Sequence, residues 1–159
     1  RFFTVYGPWG RPDMALFNFT QSILSNKPIR VFNYGDMIRD FTYVDDVIES
    51  MFLLLKKTPE KNKSFDSYNP KPSNSWAPYR IFNIGNSNPT KLTSYIEALE
   101  RRLGCKAQII FEKIQPGDVK ATFADTKELE KLLNFKPNTS IDVGIGKFVD
   151  WYLNYYGKL

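Results

Sequence analysis

Histidine is absent from this sequence, and cysteine occurs once, at Cys105, among 159 residues. The lack of histidine removes the commonest metal ligand and the usual base near neutral pH, so we expect no metal site. One cysteine cannot build an internal disulfide framework, which fits a cytoplasmic location. The longest apolar run, at 51–55, is far shorter than a membrane span, and no signal-peptide pattern opens the chain. We therefore expect a soluble protein with no membrane partner.

The charge balance is basic, with a formal net charge of +5 and a pI near 9.2. Such a balance can indicate nucleic acid binding, but the lysines are spread through predicted helices and the segment 56–71, as on a solvated surface. We expect no nucleic acid partner; the positive potential also suits an anionic small ligand. With 42% hydrophobic and 16% aromatic residues, the chain can bury one core, and we expect a single domain over 1–159.

The chain opens on a predicted strand. Residues 2–6 are aromatic or β-branched and end at Gly7, where a proline turn follows. In a parallel α/β sheet, ligands lie at the carboxyl ends of strands, which would place Thr4, Tyr6 and Arg11 near a site. A buried strand followed by an ordinary turn explains the same pattern.

Apolar residues at helical spacing predict several helices. The first is capped by Asp13 and ends near 26–28, and the second carries Asp45 and Asp46 in its first turn and Lys56 and Lys57 in its last. Charges matched to the helix dipole explain the acidic pair better than a metal site does. A last helix places Ile141, Ile145, Phe148, Val149, Tyr152 and Tyr155 on one face.

The second half of the chain predicts alternating strands and helices. Segment 58–79 is rich in Pro, Ser, Asn and Lys and is predicted to be a long surface loop, either mobile or a lid. A strand over 80–84 and a helix over 91–103 form one βα unit, and a strand over 107–112 follows. Asp125 and Glu128 resemble a capping box at the start of a further helix.

Four motifs, in order, resemble the extended short-chain dehydrogenase/reductase family, and within it the UDP-glucuronate 4-epimerases. They are 1–15 (RFFTVYGPWGRPDMA), 33–46 (NYGDMIRDFTYVDD), 82–86 (FNIGN) and 115–119 (QPGDV). The resemblance implies a Rossmann-like α/β fold and a nucleotide-sugar isomerase with a role in polysaccharide biosynthesis. Many relatives carry arginine where Gln115 stands, and glutamine there favours the UDP-glucuronate branch.

The amino-terminal features of that family are not found here. The family binds NAD at a glycine-rich turn that opens a helix, and it uses a Ser/Thr, Tyr and Lys set with the tyrosine four residues before the lysine. This sequence contains neither pattern in a matching context. The resemblance therefore implies the carboxy-terminal, substrate-binding part of the fold, with the NAD-binding half and the catalytic residues upstream of residue 1.

The resemblance also implies roles for individual residues, by position in the motifs. The sugar would be held by Thr4 and by Arg11, whose guanidinium can pair with a uronate carboxylate in two parallel hydrogen bonds. The expected nucleotide contacts are Phe32 beside the uracil, Arg39 on the diphosphate, Asn83 on a phosphate and Asp118 on the ribose. Phe2 and Phe3 would line the nicotinamide side of the cleft.

Three hypotheses remain open from the sequence. The chain is the UDP-sugar-binding half of a UDP-glucuronate 4-epimerase, inactive alone and competent with a Rossmann half on the same or another chain. It is alternatively a non-catalytic remnant or UDP-sugar-binding module, or part of a dehydratase or decarboxylase of the same family. Because half of an α/β sheet would expose edges and apolar surface, we also expect it to dimerise, swap or bind its other half.

Overall fold

The computed structural model describes residues 1–157, in which short strands alternate with helices. The elements are β1 (Val5–Tyr6), α1 (Ala15–Leu24), β2 (Ile29–Val31), a 3-10 turn (Phe32–Gly35), β3 (Ile38–Arg39), β4 (Thr42–Tyr43), α2 (Val44–Leu54), β5 (Thr90–Lys91), α3 (Leu92–Leu103), β6 (Ile109–Phe111), α4 (Lys127–Leu133) and α5 (Ile141–Tyr156). No helix within this described part is both long and apolar enough to cross a membrane.

The strands pair two by two, and most of the pairing is parallel. β1 lies parallel to β4 and β2 parallel to β6, whereas β3 and β5 are antiparallel. Parallel pairs need a crossover between their strands, and helices fill that role here. A further parallel bridge joins Phe2 to Ile84. The α/β class predicted from the sequence is confirmed.

Helices α1, α3 and α5 surround the main core, which is rich in aromatic rings. Phe41 of the β3–β4 connection stacks on Tyr95 of α3, with ring centroids 4.0 Å apart, and the Tyr6 ring meets both edge-on. The apolar stripe predicted for α5 is confirmed for its buried members. Tyr155 is the exception, because its side chain is 59% exposed at the end of the helix.

Three predicted helix-end features are wrong. Met14, not Asp13, is the residue before α1, and the Asp13 carboxylate instead takes hydrogen bonds from Arg11. Thr126 precedes α4 and its hydroxyl bonds to the Glu130 side chain, one turn on, so no capping box forms with Glu128. The lysines at 56–57 lie beyond the end of α2.

The predicted strand over 80–84 does not form a continuous ladder. Arg80 bridges Asn74 and Ile84 bridges Phe2, whereas the residues between them make single hydrogen bonds, from the Ile81 N–H to Ser73 O and from the Arg1 amino group to Phe82 O. A strand needs a neighbour along its whole length, and the local aromatic and β-branched pattern does not specify one. Segment 58–79 carries turns and bends without a helix or named strand.

The folded chain is expected to lose stability as the pH rises above 10. Burial, with the nearby Asp45 carboxylate, raises the pKa of Tyr43 to about 12, and burial also raises the pKa values of Tyr6, Tyr95 and Tyr152. The unfolded chain therefore releases phenolic protons near pH 10 that the folded chain retains. The contribution of these tyrosines to the free energy of unfolding is fully present below that pH, and it is lost as the pH rises through their folded-state pKa values.

Urea unfolding between pH 9 and 12 measures this loss. Each buried phenol contributes a slope of about 1.4 kcal/mol per pH unit above its unfolded pKa. Tyr43→Phe should remove one such contribution between pH 10 and 12, whereas Tyr68→Phe, at an exposed ring, should leave the slope as it is. Equal slopes for the wild-type chain and Tyr43→Phe would contradict the prediction.

Candidate functional site

A cavity of about 630 Å³ lies between α1, β2, the 3-10 turn and β3. Its volume is in the range of sites that hold small ligands. Four residues predicted from the motifs line it, namely Thr4, Phe32, Arg39 and Asp118. Most of the remaining wall is apolar and comes from α1, Ile29, Met37, Phe41 and Leu92. The fold thus brings together positions as far apart in sequence as 4 and 118.

Arg39 is held at this cavity by its neighbours. Its Nη2 donates to Asp118 Oδ1 at 2.8 Å, and its Nη1 donates to the carbonyl oxygens of Ile38 and Lys120 at 2.9 and 3.2 Å. The side chain is 16% exposed. Asp118 Oδ1 also accepts from the backbone N–H of Val119. A guanidinium fixed in this way is preorganised for an anion and loses little rotamer freedom on binding one.

Asp118 owes its place to a turn. Its backbone N–H donates to the carbonyl oxygen of Gln115 at 3.1 Å, and Gly117, in between, has a φ of 83° that side-chain-bearing residues seldom adopt. The 115–119 motif therefore builds the turn that carries this carboxylate to the Arg39 guanidinium.

Phe32 lies at the start of the 3-10 turn, beside an arginine that the sequence analysis did not single out. The Arg30 guanidinium lies 5.5 Å from the Phe32 ring centroid and pairs with both oxygens of Glu112, at 2.5 and 2.7 Å. This pairing lowers the pKa of Glu112. The alternation of β2 was the available signal, since Ile29 and Val31 are buried and Arg30 is the outward residue between them.

Arg11 and Asp13 line different cavities, which lie side by side. Arg11 lines a small cavity of about 50 Å³, and Asp13 lines the large one. The two cavities share Thr4, Met14, Ala15 and Phe41. Arg11 Nε donates to Asp13 Oδ1 at 3.0 Å and its Nη2 donates to Oδ2. These hydrogen bonds hold the pKa of Asp13 below its usual range. The Arg11 guanidinium therefore already binds one carboxylate through two hydrogen bonds.

The structure does not bring the other predicted residues to this cavity. Asn83 lines a separate cavity of about 370 Å³, where its Nδ2 donates to the carbonyl oxygen of Asp125 at 3.1 Å. Phe2 is exposed, and neither it nor Phe3 lines the 630 Å³ cavity. Phe3 donates its backbone N–H to Ile84 O, so this end of the chain lies beside the 82–86 motif.

Several motif residues serve the framework of the site. Asp40 is completely buried, and its carboxylate accepts backbone N–H groups from Asn86, Ser87 and Ala124 at 3.0 to 3.1 Å. It thereby joins the 33–46 motif to the 82–86 motif. Asp46, considered above for a metal, instead accepts both the backbone N–H and the hydroxyl of Thr139. Sequence reasoning identified these motifs but not this structural use of their acids.

Residues 1–85 match the model of the NAD dependent epimerase/dehydratase family. The chain belongs to this family. It is 51% identical over 158 residues to Protein CapI of Staphylococcus aureus, covering 99% of this chain and 47% of that protein. It is 44% identical over 161 residues to UDP-glucuronate 4-epimerase 1 of Arabidopsis thaliana, covering 99% of this chain and 36% of that protein.

A solved structure gives the same result at the level of the fold. The UDP-glucuronic acid 4-epimerase from Bacillus cereus, in complex with UDP-glucuronic acid and NAD, superposes with a TM-score of 0.79 at 32% identity. The match covers 98% of this chain and 45% of that one. The chain thus spans about half the length of the relatives it matches. The family resemblance and the fold predicted from the sequence are confirmed.

The family implies NAD as a cofactor, but the described residues do not form a site for the diphosphate of NAD. A dinucleotide diphosphate is bound at a helix start that follows a glycine-rich turn. The five helices within 1–157 follow Met14, Tyr43, Lys91, Thr126 and Ser140, and no glycine-rich fingerprint precedes any of them. The residues present therefore do not fit this part of the cofactor by themselves.

Proposed function

We propose that this chain is the nucleotide-sugar-binding, carboxy-terminal half of an NAD-dependent UDP-glucuronate 4-epimerase, which interconverts UDP-glucuronate and UDP-galacturonate through a 4-keto intermediate. One observation carries the proposal. The Phe32 ring, the Arg39 guanidinium and the Asp118 carboxylate line one 630 Å³ cavity, and Arg11 lines the small cavity beside it. Bound NAD would accept and return the hydride, and the residues of this chain would bind and orient the sugar nucleotide. A cytoplasmic enzyme supplying polysaccharide biosynthesis belongs to the same proposal.

The large cavity suits the nucleotide end of the substrate. Phe32 offers a ring face for the uracil. Arg39 offers a cation for the diphosphate, and its guanidinium is held in place by the hydrogen bond to Asp118. Asp118 accepts both of its described hydrogen bonds at Oδ1, and its carboxylate suits ribose hydroxyls, which donate, and not phosphates, which would be repelled. Gln115, in the same turn as Asp118, is neutral, so Arg39 and not residue 115 supplies positive charge to the diphosphate.

The sugar would extend towards the small cavity. Thr4 lines both cavities and lies between the nucleotide end and Arg11. Arg11 would exchange the Asp13 carboxylate for that of the uronate, and little stability is lost in this exchange because the Arg11–Asp13 ion pair is exposed. Asn83, Phe2 and Phe3 line neither of these two cavities, so their predicted phosphate and nicotinamide roles would need surroundings that the other half supplies.

Arg39→Ala is expected to weaken UDP-glucuronate binding by about 10- to 100-fold. The charged hydrogen bonds lost contribute about 1.5–3 kcal/mol, and the unpaired Asp118 carboxylate would then repel the diphosphate. Calorimetric titration of the chain with UDP-glucuronate measures this, and NAD is titrated separately with no binding expected. Arg101→Ala is the matched control, since Arg101 forms an exposed ion pair with Asp142 and neither residue lines the cavity.

Two results would count against the proposal. An Arg39→Ala affinity equal to that of the wild-type chain would place the diphosphate elsewhere. A wild-type chain that binds no UDP-glucuronate would favour the non-catalytic remnant over the proposed function.

A further inference from the structure

We propose that Trp9 is a positioning residue for uronate recognition: its ring packs on α5 and fixes the loop that presents Arg11 to the sugar carboxylate. This inference rests on the proposed function and extends it to a residue with no predicted role. Contacts with α5 hold the loop between β1 and α1 in place.

The loop leaves β1 in a constrained path. Gly7 has a φ of 144°, and a Cβ there would lie 2.6 Å from Val44 Cγ1, so this position requires glycine. The Gly10 N–H donates to Gly7 O at 3.2 Å, and the Met14 N–H donates to Arg11 O at 3.1 Å. Two successive turns therefore place Arg11 between the end of β1 and the start of α1.

The backbone of Trp9 is strained. Its φ is 61°, a value that is uncommon for any residue other than glycine and rare for a bulky one. Such conformations persist only where the surroundings hold them, and they concentrate at ligand clamps. Here the surroundings are the aromatic rings of α5.

The Trp9 ring lies 5.2 Å from the Trp151 ring and 5.1 Å from the Tyr155 ring, centroid to centroid. Trp151 and Tyr155 are four residues apart, so they share one face of the helix. Trp151 packs in turn on the buried Phe148. Trp9 itself is 71% exposed, so it contributes little to the core, and the main effect of its contacts is to hold the loop.

Arg11 follows two residues later, on a long and exposed side chain that pairs with Asp13. Bidentate recognition of a carboxylate needs the guanidinium fork in one orientation, and an arginine on a loose loop loses affinity when it is ordered. Fixing the loop at Trp9 therefore favours the uronate over a neutral sugar. It has no comparable effect on the uracil and diphosphate, which the proposal places against Phe32 and Arg39.

Titration with UDP, UDP-glucose and UDP-glucuronate tests this assignment. Trp9→Ala is expected to lower the ratio of UDP-glucuronate to UDP-glucose affinity by about fivefold, from the loss of two aromatic pairs, with UDP affinity unchanged. Trp9→Phe should restore most of the ratio. Trp76→Ala is the matched control, because Trp76 is also a highly exposed tryptophan, at 68%, but lies in segment 58–79. In an Arg11→Ala background, Trp9→Ala should lower the ratio no further.

Equal weakening of all three ligands by Trp9→Ala, or an unchanged ratio, would overturn the inference while leaving the proposed function in place. A further loss in the Arg11→Ala background would also overturn it, because Trp9 would then act independently of Arg11. If the wild-type chain binds none of the three ligands, the proposed function fails and the inference fails with it.

Discussion

Replacing Asp40 with alanine is expected to destabilise the chain by about 4 kcal/mol or more, the largest effect of any single carboxylate discussed above. The carboxylate is 0% exposed and accepts three backbone N–H groups, from Asn86, Ser87 and Ala124. Each buried donor left without a partner costs about 1–3 kcal/mol. Urea unfolding with the slope compared between variants measures the change.

Asp40→Asn separates the loss of hydrogen bonds from the loss of volume. Asparagine has the same shape, but one of its two terminal atoms donates, and donors face both carboxylate oxygens of Asp40. It should therefore recover only part of the loss. Asp142→Ala, at an exposed ion pair, is the control and should change stability by about 1 kcal/mol at most. A loss of that size for Asp40→Ala would contradict the prediction.

The helices could be predicted from the sequence because their signal is local. Apolar spacing fixed the approximate limits of α1, α2, α3 and α5, and these limits agree with the structure to within a few residues. The capping details failed for a physical reason. Asp13 is a good capping residue by type, but Arg11 competes for its carboxylate two residues away, and a sequence pattern does not weigh such competition.

The site could be predicted only through the family resemblance. Arg39 and Asp118 are 79 positions apart, and their contact depends on the turn at 115–118 meeting β3. Nothing in the local spacing indicates that meeting. Arg30 was missed for the opposite reason, since its outward place in β2 was predictable but its neighbours, Phe32 and Glu112, are set by the pairing with β6.

The 82–86 motif helped to identify the family, but its physical role is seen only in the structure. The sequence suggests a strand end with a polar turn, whereas the structure uses the turn to bring two backbone N–H groups onto Asp40. Gly85 lies directly before those two donors. A side chain at this position would point into the same buried space that Asp40 and Ala124 already fill.

Gly85→Ala is therefore expected to destabilise the chain by about 2–3 kcal/mol. Its new Cβ would overlap the Ala124 Cβ and lie 3.2 Å from Asp40 Oδ2, and overpacking of a buried site costs about 1–3 kcal/mol. Urea unfolding measures the loss. Gly146→Ala on α5 is the matched control with the opposite sign, since a Cβ there meets only Arg102 Nε at 3.8 Å and alanine favours the helix by about 1 kcal/mol.

Adding Ala124→Gly to Gly85→Ala identifies the cause of that loss. Removing the Ala124 Cβ frees the space that the new methyl group needs, so the double variant should be more stable than the sum of the two single changes predicts, by about 1–2 kcal/mol. The recovery is incomplete because the approach to Asp40 Oδ2 remains. Strictly additive losses would show that the two Cβ atoms do not compete, and the glycine of the motif would then be required for a reason other than the packing of Ala124 against the Asp40 site.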